Sequence, residues 1–171
     1  GSRESMTRLR GAAIGSRCAA FALFAIVAAA VHAEDRFVIS SDGQEVADST
    51  TKLVWRRCGE GQHFDGKTCS GKLAKYKYAA ARQAAEAAAK STGKAWRMPS
   101  RDELVSLYDE KLKRKPKLDG RVFPGATNGP FYATRTGSDD NLNAWLVNFR
   151  NGRVSGYAGQ SSFPLRLVRA Q

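Results

Sequence analysis

Lys111-Leu112-Lys113-Arg114-Lys115-Pro116-Lys117 puts five positive side chains into seven residues, and the neighbouring Asp109 and Glu110 cannot neutralise all of them. Such a cluster attracts the sulfate, phosphate or carboxylate groups of a polyanion. Arg114 can grip one such group through two parallel hydrogen bonds, whereas Lys111, Lys113, Lys115 and Lys117 act as mobile point charges. A solvated charge run that keeps the domain soluble has the same composition, and many basic surface runs bind nothing specific. Both readings stay open at this level. Nucleic acid would also match the charge, but the chain shows no recognition helix or aromatic stacking motif, so none is expected as a partner.

The other reactive residue types offer less. Cys58 and Cys69 are separated by 11 positions and are expected to form a disulfide in an oxidising compartment. Closing so short a loop contributes roughly 3 kcal/mol by chain-entropy arguments. With only His63 nearby they supply too few ligands for a closed zinc site, so no metal is expected. Oxidised cysteines are not nucleophiles, and His63 lies in a glycine-rich loop with no partner for a catalytic triad. Asp139, Asp140, Asn141 and Asn143 are rich in oxygen, yet the Glu-Pro-Asn or Gln-Pro-Asp triplet and the Trp-Asn-Asp signature of calcium-dependent lectins are absent. A polar turn before a strand accounts for them. Trp55, Trp96 and Trp145 could stack on sugars, but each sits among residues expected in the core. Arg97 is expected to tie its segment to neighbouring carbonyls or a carboxylate. Catalysis and a cofactor are not expected.

The N-terminal segment decides where this chemistry would operate. Gly1 to Ser5 precede the first methionine and read as an expression remnant. From Met6 the chain carries Arg8, Arg10 and Arg17, an apolar run from Cys18 to Val31, and the small-residue site Val31-His32-Ala33. That is the pattern of a signal peptide over residues 6–33, with an apolar run short of the ~20 residues that span a bilayer. The expectation is export to the periplasm, the cell surface or the medium of a bacterium, with no stable membrane span once the signal is removed. Cleavage would take four basic residues (Arg3, Arg8, Arg10, Arg17) and Glu4, lowering the formal charge from +12 to +9. It would also remove the odd Cys18 and leave His63 as the single histidine.

Residues 34–171 have the size of one domain. Phe37 to Ile39 and Lys52 to Arg56 read as strands, with a turn at Asp42-Gly43. Leu73 to Lys90 reads as a helix on its alanine content, with Leu73, Tyr76, Ala80, Ala84 and Ala87 on the inner side and Gly93 as a left-handed cap. A second helix starts at Ser100, where Ser100 and Glu103 have capping-box spacing; Leu104, Leu107 and Tyr108 would be buried, and Pro116 ends any continuation. A glycine- and proline-rich loop runs from Leu118 to Pro130. Strands are expected over Phe131–Thr134, Ala144–Phe149, Val154–Tyr157 and Leu165–Arg169, with a tight hairpin at Asn151-Gly152. The order implies an α+β domain with a mostly antiparallel sheet.

Several motifs carry a family resemblance. They are Val46-x-Asp48-x-x-Thr51-x-Leu53-x-Trp55-x-Arg57-Cys58, then Gly61-Gln62, Cys69-x-Gly71, and Trp96-Arg97-Met98-Pro99-Ser100-x-x-Glu103-Leu104. Phe123-Pro124, Tyr132, Ala144-Trp145, Val147, Phe149, Gly152 and Arg166-Leu167-Val168-Arg169 complete the set. In this order they resemble the bacterial DUF1566 domain, also called the C-terminal domain of the Legionella collagen-like protein. The resemblance implies a C-type-lectin-like fold in which N- and C-terminal strands pair and two helices flank the sheet. The family name records unknown function; some members look like surface adhesins that bind sulfated polysaccharides, and others stand alone in the envelope. The partner expected is therefore an anionic polysaccharide, or an envelope protein met through the loop from Leu118 to Pro130. This chain has no Gly-X-Y stalk before the domain, so the trimeric adhesin architecture is not carried over.

Overall fold

The computed structural model describes residues 35–134 and 144–171; the segment read as a signal peptide and the Asp139–Asn143 cluster lie outside them. The first three strands, β1 (Phe37–Ile39), β2 (Glu45–Asp48) and β3 (Leu53–Arg56), form an antiparallel meander. Its first turn uses Gly43 at φ 74°, where an added Cβ would meet the Phe64 ring at 2.5 Å. The second turn is built on Asp48, whose carboxylate accepts from the Thr50 amide at 3.0 Å and whose carbonyl accepts from the Lys52 amide at 2.9 Å. Asp48 is fully buried and is held by Arg36 through two hydrogen bonds of 2.9 and 2.8 Å. β2 contains alternating Val46 and Asp48 on its buried side, a strand that the charged residues at its ends conceal in the sequence.

The loop between the cysteines carries a two-stranded ribbon, β4 (His63–Phe64) with β5 (Cys69–Ser70), closed by the Cys58–Cys69 disulfide with Cα atoms 5.5 Å apart. Helix α1 covers Tyr78–Thr92 and ends at Gly93, φ 69°, whose amide reaches the Ala89 carbonyl. It starts later than the expected Leu73, because Tyr76 is drawn into a bridge with Phe163 through bonds of 3.0 and 2.9 Å. Its buried residues are Ala81, Ala85 and Ala88, one position on from the expected Ala80, Ala84 and Ala87. Helix α2 is short, Arg101–Val105, and its capping box between Ser100 and Glu103 is complete. Leu104 and Leu107 are buried and Tyr108 is half-buried.

The remaining strands are β6 (Phe131–Ala133), β7 (Ala144–Val147), β8 (Val154–Tyr157) and β9 (Val168–Ala170). The first three form a separate antiparallel sheet, while β9 joins the meander, giving the order β1-β2-β3-β9. The C-terminal strand thus pairs with β3, and β1 occupies the opposite edge, so the expected pairing of the first and last strands is replaced by one with the third strand. The architecture is α+β and mostly antiparallel. Between the two sheets runs Trp96–Ser100: Arg97 exchanges backbone hydrogen bonds of 2.9 and 3.0 Å with Val168 in β9, and the Pro99 carbonyl accepts from the Thr134 amide at 2.8 Å. That stretch joins the two sheets at the backbone level.

Strands β3 and β6 are buried on both faces. Leu53 and Trp55 of β3 enter one cluster with Leu104, Phe123, Phe131 and Phe149, while Val54 enters another with the alanines of α1, Trp96 and Tyr132. Strands buried on both faces read as continuous apolar runs and not as alternation. The alanine face of α1 allows the helix to lie close to its neighbours. Among the described residues no helix is long and apolar enough to cross a membrane.

Candidate functional site

The basic run is a loop and not a continuation of α2. After α2 ends at Val105, Leu107 is buried, and the chain then closes a turn in which the Asp109 amide donates to the Lys117 carbonyl at 2.8 Å. The Lys111 amide donates to the Asp109 carboxylate at 3.0 Å, so this carboxylate shapes the turn. The loop is moored to the three-stranded sheet region where the Lys117 amide donates to the Phe149 carbonyl at 2.7 Å, and Leu118 beyond it is buried. The ties at both ends fix the backbone positions from which the loop's side chains extend.

This geometry divides the five cations. Lys117 turns inward, and its ammonium donates to the carbonyls of Glu110, at 3.2 Å, and Leu112. Lys111 borders a cavity of about 510 Å³ whose lining is of mixed charge, with Arg36 and Arg121 beside Asp35, Asp109 and Asp119. Lys113, Arg114 and Lys115 are exposed and together line a different groove, of about 380 Å³. Its wall and floor are Leu112, Pro116, Leu118, Phe123 and Ala126, and among the described residues no carboxylate lines it. None of the three cations takes part in an ion pair among the described residues. The structure therefore brings together three of the five predicted ligand-binding residues and gives Lys111 and Lys117 other surroundings. The apolar floor was missed from the sequence; its one local signal is Leu112, the lone aliphatic side chain within the run.

The tryptophans do not present free stacking faces. Trp55 is fully buried, and Trp96, 4% exposed, carries the guanidinium groups of Arg56 and Arg169 at 5.0 and 5.2 Å from its ring. Trp145 is half-buried beneath Arg101 at 5.2 Å. Arg97 holds Glu103 and also donates to the Met98 carbonyl, the role expected for it. A polar hollow of about 280 Å³ is bordered by Gln44, Glu45, Gln62, His63 and Lys94. Most of these groups are already engaged: Glu45 binds Lys94 and Arg169, Gln44 pairs with the Phe64 backbone, and Gln62 donates to the Gly71 carbonyl.

Titratable groups in the interior serve the framework. Arg166 is buried, donates to the carbonyls of Arg56 and Arg57, and lies 4.8 Å from the Phe123 ring and 5.7 Å from that of Phe131. Burial pushes its guanidinium down to about 10, still charged at neutral pH, with Glu60 opposing the shift. Burial also pushes the Glu60 carboxyl up, against the pull of Arg56 and Arg166. Arg57 is buried too; it donates to the carbonyls of Val122, Gly43 and Arg121 at 2.8, 3.1 and 3.0 Å, fixing the loop that supplies the groove's Phe123. No group of three or more His, Cys, Asp or Glu residues is placed to hold a metal among the described residues.

The disulfide-closed ribbon, the Trp96–Ser100 segment between the sheets and the buried Arg166 all use residues of the motifs that carry the resemblance. No curated protein matches the chain. A family profile does: it spans residues 44–169, from the end of the first turn to within β9, and the chain belongs to the family of the Lcl C-terminal domain, a bacterial domain not known as an enzyme family.

Proposed function

We propose that this domain is an exported, non-catalytic binding module of C-type-lectin-like fold, and that the groove beside Lys113, Arg114 and Lys115 takes acidic groups of an anionic polysaccharide. The observation that carries the reading is charge without compensation: three adjacent exposed cations share one groove that, among the described residues, no carboxylate lines. Each uncompensated cation is available to an incoming anion without first breaking an internal pair. The lectin-like reading is supported by the return of β9 to the N-terminal sheet and by the long loop, Leu118 to Pro130, placed between α2 and the second sheet. Export is supported by the Cys58–Cys69 disulfide, since such bonds persist mainly in oxidising compartments.

Retention on immobilised heparin tests the polyanion site. The triple variant Lys113→Gln, Arg114→Gln, Lys115→Gln should elute at clearly lower salt than wild type, because screening weakens exposed charge pairs as ionic strength rises. Elution of both proteins at the same salt would sink the assignment. A second reading, an envelope protein-interaction domain without a glycan ligand, is favoured by one observation. Among the described residues β1 is an edge strand without a second partner, and it carries Val38 and Ile39, 61% and 41% exposed. Unpaired edges with exposed aliphatic residues are templates for another chain.

A further inference from the structure

The groove beside the three cations is not lined like a simple electrostatic patch. Its walls are mostly apolar, with Leu112, Pro116 and Ala126 half-buried over a floor of buried Leu118 and Phe123, and among the described residues charge is confined to Lys113, Arg114 and Lys115. The hydroxyls and anionic oxygens of a sulfated or carboxylated sugar gain nothing from an apolar trough and lose hydration there, so only a hydrocarbon part of the ligand benefits from it. The complementary ligand places an anionic group at the cations and a small hydrocarbon group over the trough. At about 380 Å³ the trough lies toward the lower end of the range of small-ligand sites, large enough for a sugar unit with a substituent.

Resting on the anionic-polysaccharide reading, we infer that the ligand class is an acidic polysaccharide that carries acyl esters or amides beside its acidic groups, with the acyl methyl seated on Leu112, Pro116 and Ala126. The cations select for charge and the trough selects for acylation. Arg57 preorganises this arrangement: its bonds to the carbonyls of Arg121 and Val122 fix the chain just before Phe123. A floor held in this way costs little ordering when the ligand arrives.

The test compares two ligands of equal charge. The probes are bacterial alginate carrying O-acetyl esters and the same preparation after mild alkaline deacetylation, with heparin as a third ligand. Wild type should bind the acetylated form about fourfold more tightly for each acetyl engaged, the value of burying roughly one methyl group. Ala126→Phe, which fills the trough, should bind both alginate forms with the affinity wild type has for the deacetylated one. Equal affinity of wild type for both forms, with binding still lost in the Lys113, Arg114, Lys115 triple variant, overturns acyl selection and leaves the anionic reading standing. Binding of heparin but of neither alginate form also overturns it. Failure to bind any of the three at low salt overturns the anionic reading itself.

Discussion

Arg97 and Glu103 face each other through two parallel hydrogen bonds of 2.8 Å, and the same Glu103 carboxylate accepts the Ser100 amide at 2.7 Å to complete the capping box of α2. One carboxylate therefore locks the start of the helix to the strand-like segment that joins the two sheets. Glu103→Ala removes both functions. The pair is partly solvent-exposed, so its charge contribution is modest. The cap contributes about 1 kcal/mol and the ion pair adds less than that. We expect a loss of about 1–2 kcal/mol in urea unfolding; a change below 0.5 kcal/mol, on the scale of ordinary surface substitutions, would show that the segment is held without it.

That junction also shows how far the fold was legible. The capping box and a structural Arg97 could each be read from residue types and spacing, but nothing in the spacing says that one glutamate serves both. Helix α1 was evident from propensity, while its inner face was not. With alanine on every side, a 3.6-residue period has little apolar contrast to phase against, and the buried set fell on Ala81, Ala85 and Ala88. β2 was hidden because its inward Asp48 is a charged residue in the core, intelligible only once Arg36 is placed beside it. The pairing of β9 with β3 joins residues more than a hundred positions apart and leaves no local trace. At the candidate site, the run of charge was plain in the sequence, whereas its division into Lys117 inward, Lys111 aside and three cations together depends on a turn closed by Asp109 and Phe149.

Glu103 and Glu60 should tilt the acid dependence of stability in opposite directions. The Arg97 hydrogen bonds hold the Glu103 carboxyl below its ordinary range. Its stabilising contribution is thus present above the unfolded value near 4.5 and is lost as pH falls through the lower folded value. Burial raises Glu60 instead, so the folded state holds that proton more tightly than the unfolded one, and its carboxylate costs stability as pH rises from 4.5 through the folded value. Relative to wild type, Glu103→Gln should lose more at pH 7 than at pH 3, whereas Glu60→Gln should gain as pH rises over the same interval. Denaturant titrations at pH 3, 5 and 7 check both signs. A Glu60→Gln curve parallel to wild type would mean that burial does not govern this carboxyl.

Arg166 is expected to be the most sensitive charged position. Its guanidinium satisfies the carbonyls of Arg56 and Arg57 and fills space between the rings of Phe123 and Phe131. Arg166→Leu keeps most of the volume and leaves those carbonyls without their donor, a cost of about 1–3 kcal/mol each at worst. Arg166→Ala adds a cavity and should lose about 3–5 kcal/mol, enough to prevent folding of a marginal domain. If the leucine variant melts at the wild-type temperature, the two carbonyls must find other donors.

The inward turn of Lys117 gives the sharpest separation between framework and ligand contact. Its ammonium is spent on the carbonyls of Glu110 and Leu112, where it holds the base of the loop that presents Lys113, Arg114 and Lys115. Lys117→Gln should cost about 1 kcal/mol of stability, the scale of one to two partly exposed hydrogen bonds. Neutralising Lys113, Arg114 and Lys115 should leave stability within about 0.5 kcal/mol of wild type, or raise it by relieving repulsion. On immobilised heparin the order reverses, with the triple variant losing most of its retention per charge removed and Lys117→Gln losing little. Thermal melting and salt elution on the same preparations decide the matter. Equal loss of retention per charge for Lys117 and for the other three would show that binding responds to net charge alone, and that the groove has no part in it.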